Sequence, residues 1–296
     1  MTRIGFIGLG NMGLPMARNL AKAGFAVVGH DVVAAARARA AEAGLPVVEE
    51  LDRAVADVEM VITMLPAGPQ VREVYLADGG VLDNAEQGAL LIDCSTIDVE
   101  TARAVHEAAR GQGLAMLDAP VSGGVAGAEA ASLTFMVGGE AEAFARARPV
   151  LERMGKAVVH AGPAGTGQAA KICNNMMLGI QMISVCEAFV LAEKLGLSAD
   201  KLFEISSRAS GQCWSLTSYC PVPGPVPASP ANRDYRPGFT AAMMLKDLRL
   251  AQQTASAVGA ATPLGAEACQ LYALFAAAGK EGLDFSAIIK MIAGRL

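Results

Sequence analysis

The sequence predicts an α/β chain: an N-terminal, Rossmann-type doubly wound sheet, then an all-helical C-terminal domain reached through a long helix. Three observations predict this. Short apolar runs alternate with Ala-rich, charged stretches up to about residue 160, the pattern of a mostly parallel sheet. After AGPAGTG no convincing strand recurs. The stretch GQAAKICNNMMLGIQMISVCEAFVLAEKL then reads as one long, mostly apolar helix. A chain of 296 residues accommodates about two domains, placed here at 1–163 and 164–296, with the linking helix over about 166–195.

In order, strands are expected at Ile4–Gly8, Ala26–His30, Met60–Leu65, Ala89–Asp93, Ala115–Leu117, Leu133–Val137 and Ala157–His160. Helical segments between them include Asp98–Arg110 and Ala141–Met154. The Gly-rich stretch Asp118–Ser132 lacks a clear crossover helix, so the last part of the sheet is expected to be mixed. Beyond it, helices are expected at about Gln168–Leu195, Ala199–Ser206, Ala241–Ala257, Pro263–Ala277 and Phe285–Ile292. Six prolines between Cys220 and Pro237 exclude helix and central strand there. Composition makes that segment a surface connection, although loops of such length are often functional.

The chain is 53% hydrophobic and 18% charged, with net charge −5 and no Lys/Arg cluster, which excludes nucleic acid and an anionic membrane surface as partners. Positive mean hydropathy raises the question of a membrane span. Gln181, Ser184 and Glu187 interrupt the most apolar run, so no clean span is expected. RIGFI reads as a strand without a basic leader, and a secretory signal is not expected. Six scattered cysteines without a CxxC suit a reduced, cytoplasmic compartment. His30, His106 and His160 lie far apart, so neither a metal site nor a histidine-based triad is expected.

Residues 4–13, IGFIGLGNMG, place Gly8, Gly10 and Gly13 as GxGxxG between a strand and a helix. That context makes the motif a dinucleotide loop: Gly8 for the turn, Gly10 for backbone approach to a pyrophosphate, Gly13 for helix–strand packing. Leu9, Asn11 and Met12 complete the loop, whose amides face the phosphates. Asp31 ends the second strand, 23 positions after Gly8. A carboxylate there accepts from ribose hydroxyls and repels a 2′-phosphate, which predicts NAD over NADP. Its alternative role is to cap the next helix. Arg37 and Arg39 read as solvated helix charges. Leu65–Pro66 and Thr96 follow apolar strands and lie on the ligand side of a parallel sheet. Spacing leaves open whether Thr96 meets the cofactor or caps the helix beginning near Asp98.

Within the long helix, KICNN places Lys171, Asn174 and Asn175 in an apolar setting, where polar groups are costly without partners. Asn175 shares a helix face with Lys171, and Asn174 lies close to it. A lone helical lysine is most often a snorkelling surface charge. The asparagine pair and the preceding GTG, together with the family resemblance given below, turn the reading towards a functional group. DAPVSGG offers Ser122, Gly123 and Gly124, either as hydroxyl and backbone donors to a carboxylate or as an ordinary turn. Trp214, the only tryptophan, suits a small apolar substrate and a core position equally.

Four blocks occur in one order: GFIGLGNMGLPMARNL, LDAPVSGGVAGAEAASLTFMVGG, GPAGTGQAAKICNN and MLKDLRLAQ. With them the sequence resembles the β-hydroxyacid dehydrogenases over essentially its whole length. The resemblance implies NAD-linked oxidation of a short 3-hydroxy acid, with Lys171 as acid/base and Asn175 beside it. It implies Ser122, Gly123, Gly124 and Asn174 at the substrate, Thr96 and Lys246 at the cofactor, and homodimers or homotetramers. Read alone, Lys246 belongs to a solvated helix face. The blocks are less specific for substrate, since members act on 3-hydroxyisobutyrate, L-serine, or tartronate or succinic semialdehyde. GQCWSLTSYCPVPG looks most like the members handling the first two, and oxidation of 3-hydroxyisobutyrate to methylmalonate semialdehyde in valine breakdown is the expected activity. Such chemistry needs a base beside the hydroxyl, and burial near a positive nicotinamide favours a neutral lysine. The alternative from another class is a non-catalytic dinucleotide sensor on the same fold.

If Asp31 selects the ribose, Asp31→Ala combined with Val32→Arg shifts preference towards NADP. Fluorescence titration with both dinucleotides measures it, and unchanged NADP affinity refutes the assignment.

Overall fold

The computed structural model describes residues 1–296. They form two compact units, Met1–Lys171 and Ile172–Leu296.

In the first unit, β1 (Arg3–Ile7), β2 (Ala26–His30), β3 (Met60–Thr63), β4 (Leu90–Asp93) and β5 (Ala115–Asp118) pair in parallel in the order β2-β1-β3-β4-β5. Their continuous apolar runs follow from burial on both faces. Alternate residues serve opposite faces, as the pleat requires. Ile4, Phe6, Met60, Ile62, Leu90 and Ile92 join one core, while Ile7, Val61 and Leu91 join the other. The chain runs from β1 to β2 on one side and returns to β3 on the other. The strand order therefore reverses at β1, and the carboxyl ends of β1 and β3 border the crevice where open α/β sheets bind ligands.

The far part of the sheet is mixed, as expected. β7 (Leu133–Gly139) runs antiparallel to β5 and parallel to β8 (Gly155–Gly162). Two elements in the Gly-rich stretch escaped the sequence reading: β6 (Val121–Ser122), antiparallel to β7, and a six-residue helix, Gly124–Glu129. Both are too short for a periodic signal.

Polar bonds lock the ends of β3 and β4 together. Asp93 Oδ1 accepts from the Thr63 hydroxyl at 2.7 Å, the Ser95 N–H at 3.1 Å and the Ser95 hydroxyl at 2.5 Å. Ser95 Oγ in turn accepts from the Leu65 N–H at 2.8 Å. Asp93 is buried, and its Oδ2 has no hydrogen-bond partner. Burial raises its carboxyl pKa above 3.8, against the hydrogen bonds from Ser95 and Thr63, and the nearby Asp118 adds to the rise.

The long helix, Thr166–Lys194, begins in the first unit and continues through the second. Contrary to the sequence reading, it is long and apolar enough to pass for a membrane span by length and composition. Its residues Met182, Ile183, Val185, Cys186 and Phe189 nevertheless pack into the helical core of the second unit. There they join Met244 and Leu248 of helix Ala241–Ala257 and Tyr272 and Phe275 of helix Pro263–Phe275. A Cβ on Gly179 would meet Leu248 at 3.0 Å, so glycine lets these helices approach.

The proline-rich segment is not a plain surface connection. Cys220, Ser229, Pro230, Ala231 and Tyr235 are buried, and Pro230–Arg233 forms a single 3-10 turn. The segment closes on itself: Ser229 Oγ donates to the Cys220 carbonyl at 2.6 Å, and the Tyr235 hydroxyl to the Pro221 carbonyl at 2.9 Å. Prolines free the chain from ladder bonds, and side chains take over that task.

Because the folded state holds the Asp93 proton more tightly than the unfolded chain, the stability this group contributes is complete below pH 3.8 and is lost as pH rises through the folded pKa. Asp93→Asn keeps an oxygen for the three donors and removes the charge. Its stability relative to wild type therefore grows with pH above 3.8, and urea denaturation across pH measures the trend. A constant difference would contradict it.

Candidate functional site

The loop after β1 separates three glycine roles. Gly8 has φ +94°, and a Cβ there would meet the Met64 carbonyl at 2.3 Å. A Cβ on Gly13 would meet the Gly8 carbonyl at 1.8 Å. The fold itself thus requires both. A Cβ on Gly10 would meet nothing within 4 Å, so packing does not explain that glycine, whereas a dinucleotide approaching the backbone does. Leu9 is buried, Met12 half-buried and Asn11 exposed, just before helix Gly13–Lys22.

Asp31 follows β2 and faces this loop. Its Oδ2 accepts from the Leu9 N–H and its Oδ1 from the Val33 N–H, both at 2.8 Å. Helix Ala34–Glu42 has Val33 at its N-cap without a side-chain bond, so the capping alternative for Asp31 falls. Each oxygen keeps acceptor capacity for a ribose hydroxyl. Arg37 is not a solvated charge, contrary to the sequence reading. Its guanidinium donates to the Asp31 carbonyl at 2.7 Å and to Glu49 at 3.2 Å. Arg37 is thereby engaged, while Val32 and Val33 are exposed. These residues fit NAD.

Leu65 and Pro66 follow β3, and the Leu65–Ser95 bond joins them to the loop after β4. Thr96 is half-buried in that loop. It is not the cap of helix Val99–Gly111, because Asp98 takes that place by accepting from the Thr101 N–H at 2.7 Å. Ser122 ends β6, and Gly123 and Gly124, with φ +137° and +61°, turn the chain into the short helix. Side chains other than glycine adopt such angles rarely.

Lys171 is the last residue of the first unit and is only 7% exposed, which removes the snorkelling alternative. Two residues that the sequence reading missed secure its helix. Asp118, at the end of β5, accepts from the Gly165 N–H at 2.8 Å, the Gln168 N–H at 2.9 Å and His106 Nε2 at 3.0 Å. The Gln168 side chain donates to the Ser95 carbonyl at 2.7 Å and accepts from the Ile97 N–H at 3.1 Å. Only the offset of Gln168 from Lys171 by one turn, and of Asp118 from Ser122, could have hinted at them.

In the second unit, Asn174 donates to Asn175 at 3.0 Å, and Asn175 donates to Asp247 Oδ2 at 2.5 Å. Lys246 lies 3.5 Å from Asp247 Oδ1, a distance for an ion pair rather than a hydrogen bond. Asp247 is buried, so the KDL motif turns inward there rather than forming a solvated face. Asp247, in the block MLKDLRLAQ, is a further residue whose part the sequence did not reveal. Trp214 joins neither set. It is 49% exposed and stacks on Tyr219 at 5.0 Å, so its core alternative falls. Tyr219 donates to Asp284 at 2.8 Å, and burial and that carboxylate push its phenol upward. No group of three or more His, Cys, Asp or Glu is arranged to hold a metal.

Known proteins match this architecture along its full length. Residues 3–162 match the family described as the NAD binding domain of 6-phosphogluconate dehydrogenase. Residues 165–292 match the family described as NAD-binding of NADP-dependent 3-hydroxyisobutyrate dehydrogenase. The chain is 52% identical to the 3-hydroxyisobutyrate dehydrogenase of Pseudomonas aeruginosa over 297 residues, 100% of each. It is 49% identical to the NAD-dependent L-serine dehydrogenase of the same organism over 291 residues, 98% of each. The structure of Mycobacterium tuberculosis 3-hydroxyisobutyrate dehydrogenase with L-serine superposes with a TM-score of 0.94 at 54% identity, covering 99% of each chain.

Proposed function

The chain belongs to the β-hydroxyacid dehydrogenase family, among members like 3-hydroxyisobutyrate dehydrogenase, and on that premise we propose that it oxidises 3-hydroxyisobutyrate to methylmalonate semialdehyde, with Lys171 as general acid/base. It is an NAD-dependent 3-hydroxyacid dehydrogenase, which sets aside the non-catalytic sensor. The observation that carries the finer reading is a lysine only 7% exposed, one helical turn before an asparagine that is itself buried and paired.

The reaction moves a hydride from carbon and a proton from the hydroxyl. Bound NAD supplies the hydride acceptor. When NAD is bound, the backbone N–H groups of Gly8–Gly13 would hold its pyrophosphate and Asp31 would accept from its ribose, and Leu65, Pro66, Thr96 and, as the family resemblance implies, Lys246 would serve the cofactor as well. The Lys171 amine takes the hydroxyl proton in oxidation, and its ammonium returns one in reduction. Asn175, held by Asp247, presents its amide beside that amine. Asn174 steadies Asn175 through their mutual bond. Ser122, Gly123 and Gly124 donate to the substrate carboxylate, and Trp214 packs its small apolar side.

L-serine is the second reading, favoured by the L-serine dehydrogenase relative and by the relative solved with L-serine. The two substrates share a carboxylate and a β-hydroxyl and differ in the small group on the α-carbon. Valine breakdown in the cytoplasm is the proposed setting. Met177, Leu191 and Leu195 are exposed along the long helix, which supports a homodimer or homotetramer.

Lys171→Ala lowers kcat about 10²–10⁴-fold while NAD binding persists. NADH absorbance with a panel of 3-hydroxy acids, beside fluorescence titration of NAD, measures both. Turnover near wild type would remove Lys171 from the chemistry, and a preference for L-serine would replace the first substrate by the second. Light scattering should give a multiple of 30.4 kDa.

A further inference from the structure

Proton and hydride must leave the substrate in one geometry, yet the residues proposed above for the acid/base and for the cofactor lie on different elements. Lys171 is on the long helix, and Thr96 is in the loop after β4. Gln168 joins them. It lies one helical turn before Lys171 and is 0% exposed. Its amide donates to the Ser95 carbonyl at 2.7 Å and accepts from the Ile97 N–H at 3.1 Å. Those two backbone groups flank Thr96. The side chain therefore pairs with the backbone on either side of Thr96 much as a neighbouring strand would.

A plain packing role explains this poorly. The start of the helix is already secured by Asp118, which accepts from the Gly165 and Gln168 N–H groups. Gly138 and Gly167 leave room for that carboxylate, since a Cβ on either would come within 2.8 Å of a carboxylate oxygen. The Gln168 amide is a second, independent tie that reaches past the helix end to one loop only. Replacing buried polar groups by apolar ones of the same volume is often neutral for stability, so a buried amide with both ends engaged points to specificity of placement.

We infer that Gln168 is a positioning residue that holds the turn carrying Lys171 in register with the loop carrying Thr96. The inference rests on the reading of Lys171 as the acid/base. Displacement of a reacting group by about 1 Å can cost about 10²-fold in rate, so removal of the tie shows in kcat rather than in binding.

Two substitutions test it in the full-length protein, with thermal unfolding checked for each. Gln168→Met removes both bonds at similar volume. Its kcat is expected to fall about 10–100-fold, with KM for NAD and for the hydroxy acid within about threefold of wild type. Gln168→Glu supplies a reversible version. Ionised, the new carboxylate opposes the Ser95 carbonyl; protonated, it donates to that carbonyl and accepts from the Ile97 N–H, as the amide does. The charged and titratable groups around this position are Asp118 with its partner His106, Asp93 beside Ser95, and Lys171. The kcat of Gln168→Glu relative to wild type at the same pH should therefore rise about tenfold as pH falls from roughly 9 to 6. Wild-type kcat in Gln168→Met, a loss confined to KM, or a Gln168→Glu ratio flat with pH would each overturn the inference. If Gln168→Met does not fold, the pH ratio decides alone. Lys171→Met is assayed alongside. Should it keep its turnover, the acid/base reading fails. Should it be inactive while Gln168→Met matches wild type, only the positioning role fails.

Discussion

The carboxylate of Asp118 constrains everything built around it. It stands buried at the end of β5 and accepts three N–H groups, two from the start of the long helix and one from His106. A helix leaves its first N–H groups without partners, and a carboxylate there satisfies them while complementing the helix dipole. Both its oxygens face donors, so an amide in its place would turn an NH₂ group towards one of them. The two glycines that admit it, Gly138 and Gly167, come from β7 and from the helix itself. One acidic side chain thus sets where the helix leaves the sheet, and with it where Lys171 sits.

Similar bonding recurs at the other strand ends. Asp31 ties β2 to the dinucleotide loop, and Asp93 with Ser95 ties β3 to β4. A buried polar group left without a partner costs about 1–3 kcal/mol, so each of these side chains is tolerated only because its neighbours answer it. Asp93 and Asp118 are also register partners across β4 and β5. The proximity of Asp118 adds to the rise that burial imposes on the Asp93 carboxyl. Two neighbouring carboxyl groups thereby do different work: one organises loop ends, the other a helix start.

The choice between two short 3-hydroxy acids rests on one substituent. 3-Hydroxyisobutyrate and L-serine share a carboxylate and a β-hydroxyl, so the roles proposed for Ser122 and Lys171 serve either one. What separates them is a methyl against a charged ammonium group on the α-carbon, so the choice turns on whether the pocket meets that group with apolar surface or with polar partners. Trp214 stacks on Tyr219, which in turn stacks on Phe285.

The parallel strands, the helical second half, the dinucleotide loop and the KICNN helix were legible because each repeats a local rule over enough residues to stand out. Apolar runs of four or five residues mark β1 to β5, and glycine spacing marks the loop. β6 and the Gly124–Glu129 helix were not legible, being too short for any period, and the packed state of the proline-rich segment depends on bonds such as Tyr235 to Pro221. The roles of Asp118, Gln168 and Asp247 were hidden for a related reason. Each acts through a partner distant in the chain, 47 residues from Asp118 to Gly165, 73 from Gln168 to Ser95 and 72 from Asp247 to Asn175. By itself, then, the sequence determined the class of fold, the cofactor and the long helix that carries KICNN, because these follow from local pattern. Only the tertiary structure decided which buried amides and carboxylates hold those residues in place, because a hydrogen bond is specified by distance and angle in space and leaves no spacing in the chain.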